Sequence, residues 1–69
     1  MSKAKETLML IKHLINEGLS AYHIQQVLKN DGHKVYCFGS YYTTGKAGKD
    51  RVCFYETDKG VKAQFVEYN

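Results

Sequence analysis

At Lys34 the spacing of apolar residues changes period, from about 3.6 to 2. Before it, apolar positions recur every three or four residues. After it, they alternate within β-branched and aromatic runs. Such a switch predicts a chain divided into a helical half and a strand half. There is no proline, so the six glycines supply the punctuation.

The first half reads as two helices. Over residues 4–17, Ala4, Leu8, Leu10, Ile11, Leu14 and Ile15 fall on one side of a helical projection, with Lys5, Lys12, His13, Asn16 and Glu17 opposite. Met9 belongs to neither side and is expected to be exposed. Gly18 suits the left-handed position that follows a helix. Ser20 is a good N-cap for a second helix over residues 20–30, with Leu19 and Ile24 spaced as a hydrophobic staple. Ala21, Ile24, Val27 and Leu28 form its apolar stripe, leaving Tyr22, Gln25, Gln26 and Lys29 outward. Asn30-Asp31-Gly32 ends it.

The second half reads as strands over 34–42 (KVYCFGSYY), 51–57 (RVCFYET) and 61–68 (VKAQFVEY), with Gly39 marking a bulge or bend in the first. Thr57-Asp58-Lys59-Gly60 predicts a tight hairpin turn with Gly60 at positive φ. In the third strand Val61, Ala63 and Phe65 alternate with Lys62, Gln64 and Val66, giving a dry face and a half-wet one. The expected fold is α+β, a helical hairpin packed on a three-stranded antiparallel sheet (ααβββ), as one domain over 1–69. The alternative is a winged helix, in which part of 34–44 forms a third helix and 51–68 forms the wing.

Sixty-nine residues bury only about 60% of the unfolded surface, so the core is thin and a dinucleotide-binding fold is excluded by length. Hydrophobic residues at 43% and charged residues at 25% exclude a disordered chain. No apolar run reaches the ~18 residues of a membrane span, and the start MSKAKE resembles no secretory signal. A cytoplasmic protein without membrane partners is expected.

The net charge is +3, and residues 34–51 hold four cations (Lys34, Lys46, Lys49, Arg51) against one anion, Asp50. The whole excess therefore falls in that segment, which includes a flexible basic loop over 43–50 (TTGKAGKD), as a phosphate-binding surface would need. The loop is not a Walker motif, because a strand and not a helix follows and Asp50 stands after Lys49. Cys37 and Cys53 fall in strand-like runs, where small buried hydrophobes or a cross-strand bridge are both open readings. His13, His23 and His33 show no metal-ligand spacing, and no catalytic set is recognisable. No enzyme, cofactor or metal is expected.

Residues 10–29, LIKHLINEGLSAYHIQQVLK, carry Gly18 in a turn, Leu19 directly after it, and Ile24 and Val27 where the second helix meets the first. In this the stretch resembles the helix-turn-helix DNA-binding motif. It departs from it at Leu14, where a small residue is usual, and at His13 and Glu17, where apolar residues are. The resemblance implies that the second helix enters a major groove, with Ser20, Ala21, Tyr22, Gln25, Gln26 and Lys29 facing DNA. Lys46, Lys49 and Arg51 would then clamp the phosphate backbone. Double-stranded DNA is the first-ranked partner, with RNA or a host protein as the alternatives. A domain this small makes few phosphate contacts, so a homodimer is expected to help, through Met9 or the third strand at Gln64, Val66 and Tyr68.

Eight of the nine aromatic residues lie after Lys34. Alternation sends about half of them to the core, and Tyr41, Tyr42 and Tyr55, near the basic loop, are the expected surface rings. They define the alternative function: a protein-interaction module, of the size phages use to occlude a host enzyme, working through a tyrosine-rich surface.

Overall fold

The computed structural model describes residues 3–45 and 49–67. The elements are α1 (Lys3–Asn16), α2 (Ala21–Asn30), β1 (Val35–Phe38), β2 (Tyr41–Thr44), β3 (Arg51–Thr57) and β4 (Gly60–Val66). The four strands form one antiparallel sheet in the order β1-β2-β3-β4. The fold is α+β with both helices packed on one face of the sheet, α1 over β3 and β4, and α2 over β1 and β3.

Each helix boundary follows from its local sequence. Gly18 adopts φ +89°, and its N–H reaches Ile15 O while that of Leu19 reaches Leu14 O, a Schellman closure of α1. Two residues later the Ser20 side chain accepts the His23 N–H at 3.3 Å and caps α2. Helix, turn and helix therefore occupy the predicted residues to within one or two positions.

The first expected strand is two strands. Gly39 has φ +60° and stands first of two loop residues, Gly39-Ser40, between the paired Phe38 and Tyr41. Glycine in the first position is the signature of a type II′ hairpin, whose twist matches that of its strands. The sheet accordingly has four strands and not three. The winged-helix alternative needed a third helix within 34–44, and those residues are β1 and β2. The Thr57–Gly60 hairpin forms as expected, with the Thr57 hydroxyl donating to Gly60 O at 2.6 Å and accepting from Lys59 N.

The core consists of Ile11, Ala21, Ile24, Leu28, Val52 and Phe54, all buried, with Leu8, Leu14, Ile15, Val35, Phe65 and others packed around them. Burial of the apolar groups, at about 25 cal/mol per Å² removed from water, is the main term holding the helices to the sheet. The phase of α2 differs from expectation. Ala21, Ile24, Gln25 and Leu28 are its buried residues, while Val27 is exposed. Met9 is exposed, as expected.

The strand register assigns every sheet residue to a face. Val35, Cys37, Tyr42, Thr44, Val52, Phe54, Ala63 and Phe65 share the helix-covered face. Tyr36, Phe38, Tyr41, Thr43, Arg51, Cys53, Tyr55, Lys62, Gln64 and Val66 share the other, over which no described element lies. Cys37 and Cys53 are free, stand on opposite faces, and belong to strands that are not neighbours, so the suggested cross-strand bridge does not form.

Candidate functional site

The uncovered sheet face is built in rows. Cross-strand partners lie side by side about 5 Å apart, and successive rows on one face are about 6.6 Å apart along the strands. One row reads Tyr36, Thr43, Cys53, Gln64. Toward the Gly39-Ser40 turn the next row opens with Phe38 and Tyr41. On the opposite side, toward the basic loop, the neighbouring row holds Arg51 and Val66.

Thr43 and Cys53 are small, and the rows on either side carry large side chains. That alternation leaves a dent in the sheet surface, an open cavity of ≈ 440 Å³ lined by Tyr36, Phe38, Tyr41, Thr43, Arg51 and Cys53, with Gly45 at its rim. The volume falls in the range of small-ligand sites. Phe38 and Tyr41 are 54% and 40% exposed, and their ring centroids are 6.0 Å apart and tilted by 31°. The Arg51 guanidinium donates from Nη1 to Lys49 O at 3.3 Å, which ties it to the loop and leaves its other N–H groups available to a ligand. The site thus joins apolar ring faces, a hydroxyl and a fixed cation.

The residues expected on α2 meet different fates. Gln25 is 7% exposed and turned toward the sheet, so it is not available to a groove. Ser20 spends its hydroxyl on the cap, accepting from His23 N with His23 Nδ1 2.8 Å away. Tyr22 is 55% exposed and accepts a hydrogen bond from Gln26 Nε2 at 3.0 Å, so these two hold each other on the outer side of the helix. Lys29 is exposed on the last turn of α2.

These two groups of residues do not converge. The sheet lies between the outer side of α2 and the Arg51 cavity. The first turn of α2 also stands at the end of the sheet where Glu56 meets Ala21. The basic loop leaves from the other end, where Gly45 N donates to Lys34 O at 3.4 Å. Tyr22 and the loop are therefore at opposite ends, contrary to the expectation that one ligand surface unites them; Lys29 alone of the α2 set stands at the loop end. Lys49 is exposed and Arg51 half-buried. Lys46, and Tyr68 in the third expected strand, lie outside the described residues.

Of the three expected surface tyrosines, Tyr41 and Tyr55 are on the uncovered face. Tyr42 is not: it packs on the helix side, stacked on Phe54 with centroids 5.3 Å apart and planes at 22°. Tyr36, Phe38, Thr43 and Cys53 were missed as site residues. The signal for them was present in Gly39-Ser40, a dipeptide that closes two-residue hairpins. Read that way, it aligns Tyr36 and Phe38 with Thr43 and Tyr41 on one face.

Among the described residues no three of His, Cys, Asp and Glu group as a metal site, and no helix is long and apolar enough to cross a membrane. Comparison of the chain with protein-family models, with curated proteins and with solved structures finds no match.

Proposed function

We propose that this protein binds single-stranded nucleic acid on the uncovered face of its sheet, as a binding and not a catalytic domain. The observation that carries the reading is the exposed Phe38–Tyr41 ring pair on the same face as Arg51, beside the one cation-rich loop of the sequence. Unstacked bases gain about 1–3 kcal/mol each by stacking on aromatic rings, and a neighbouring cation follows the phosphates. A broad sheet face does not enter a major groove, so single strands fit it better than a duplex.

Duplex recognition by α2, which the helix-turn-helix resemblance implies, has less support. Gln25 is buried, Ser20 is committed to its cap, and the outer side of α2 keeps Tyr22, Gln26 and Lys29. A protein-interaction role is the second reading, and Phe38 favours it. An exposed ring without a polar atom is also what a protein hot spot uses.

Fluorescence anisotropy with labelled single-stranded DNA, single-stranded RNA and duplex DNA tests the proposal, with salt raised from about 50 to 200 mM. The expected result is single-strand binding that weakens with salt. Duplex binding in preference to single strands would move the function to α2. No binding to any nucleic acid at low salt would leave the protein-interaction reading.

A further inference from the structure

We infer that the cavity on the sheet face is a subsite for one nucleotide, with the Thr43 hydroxyl meeting the base edge and Arg51 meeting the phosphate. The inference rests on the nucleic-acid reading above and names what that surface holds most closely.

The first observation is Thr43 itself. It is 4% exposed and lines the cavity. Its hydroxyl makes no hydrogen bond to a described residue, and since no buried side-chain oxygen among the described residues lacks a partner, that hydroxyl is open to the solvent of the cavity. Its neighbour Thr44 shows the contrast, since that hydroxyl accepts the Val52 N–H at 3.2 Å. A hydroxyl that opens on the cavity and is not engaged by the protein keeps its donor and its lone pairs for a ligand. A ligand edge bearing donors and acceptors supplies the partner, and a nucleobase has such an edge.

The second observation is the arrangement around it. Tyr36 stands beside Thr43 in the same row, and Phe38 and Tyr41 stand one row away. These rings give a planar ligand apolar faces to lie against. Arg51 stands one row away on the other side, with Gly45 beside it in the cavity lining. The row spacing of about 6.6 Å separates hydrogen-bonding group from cation, so a ligand spanning both needs a planar polar edge at one end and an anion at the other. A nucleoside monophosphate unit has this form, and Arg binds phosphate in a planar fork. A base can enter only if it is out of its stack, so a site of this kind selects single strands over duplex by construction.

Nuclear magnetic resonance titration of the full chain with adenosine and uridine 5′-monophosphates tests the inference. Ribose 5-phosphate, free nucleoside and a single-stranded oligonucleotide are run beside them. The expected result is shifts at Tyr36, Phe38, Tyr41, Thr43 and Cys53 with both mononucleotides, and weaker effects with either half-molecule. Thr43→Val, which keeps shape and removes the hydroxyl, should weaken mononucleotide binding about tenfold and narrow the difference between the two bases. Thr43→Ser should restore most of it. Oligonucleotide binding with no mononucleotide shifts in the cavity, or with unchanged affinity in Thr43→Val, would overturn the subsite and leave the platform standing. Equal shifts with ribose 5-phosphate would reduce it to an anion site and also overturn it. Failure of the oligonucleotide as well would remove both readings.

Discussion

The Glu56 carboxylate accepts a 2.9 Å hydrogen bond from the backbone N–H of Ala21, 35 residues earlier in the chain. Ala21 is the first residue of α2, so a strand residue satisfies one of the free N–H groups at the helix start that Ser20 leaves open. It also brings a negative charge to the positive end of the helix dipole. The contact fixes where α2 begins on the sheet.

Glu56→Ala should therefore cost about 1 kcal/mol of stability, lowering the melting temperature by about 4–8 °C for a domain of this size. Glu56→Gln keeps an acceptor without the charge and should fall between the two. Thermal unfolding followed by circular dichroism measures both. An unchanged melting temperature in Glu56→Ala would mean that the bond adds nothing to the solvated alternative.

A second stabilising contact sits at the mouth of the basic loop. Beyond the Thr43↔Cys53 pair the β2–β3 ladder stops, and the buried Val52 N–H is met instead by the Thr44 hydroxyl. Thr44→Val is close in shape but leaves that N–H unpaired, at an expected cost of about 1–3 kcal/mol. Thr44→Ser should keep most of the stability. Urea unfolding of the two variants is the measurement, and equal midpoints for Val and Ser would refute the assignment.

The sequence carried much of this fold. The period change at Lys34, the Ser20 cap and the Gly18 bend were legible because each is a local preference of a few neighbouring residues. Three features were not. Gly39-Ser40 reads equally as a bulge or as a hairpin turn, and only pairing between Phe38 and Tyr41 decides it. On α2, an apolar Val27 draws the stripe one way, but at about 100° per residue Ala21, Ile24 and Leu28 draw it toward Gln25. The sheet decides that contest, helped by Glu56, and no local pattern reveals a bond 35 residues long. The candidate site shared this fate. Arg51, Tyr41 and Tyr55 were visible as residue types, but their grouping with Tyr36, Phe38 and Thr43, and the loss of Tyr42 to the core, depend on strand register.

Removing a platform ring should weaken binding without unfolding the domain. Phe38 and Tyr41 are exposed and lie outside the core, so Phe38→Ala and Tyr41→Ala are expected to change stability little. Each should lose about 5- to 150-fold in affinity for a single-stranded oligonucleotide, as the stacking of one base is worth about 1–3 kcal/mol. Tyr22→Ala, on the opposite side of the molecule, should bind as the unaltered protein does. Anisotropy titrations of the three variants compare them directly. A loss in Tyr22→Ala with none in Phe38→Ala would transfer the function to α2.

Salt dependence separates the two cationic surfaces. For single strands the slope of log K against log salt is about −0.7 for each phosphate neutralised. Arg51 lines the cavity and Lys49 supplies the carbonyl that holds its guanidinium, so both are placed to meet the backbone of a strand lying across the sheet. Arg51→Gln and Lys49→Gln should each make the slope shallower by about 0.7. Lys29 carries the same charge at the same end of the molecule but on the helix side of the sheet. Lys29→Gln should therefore lower affinity only slightly and leave the slope unchanged. Long-range attraction treats all three cations nearly alike, since charges within a Debye length of about 10 Å act together at 0.1 M salt. Equal slope changes for Arg51→Gln and Lys29→Gln would thus mean diffuse attraction to a basic protein, and the sheet face would lose its claim to be the binding surface.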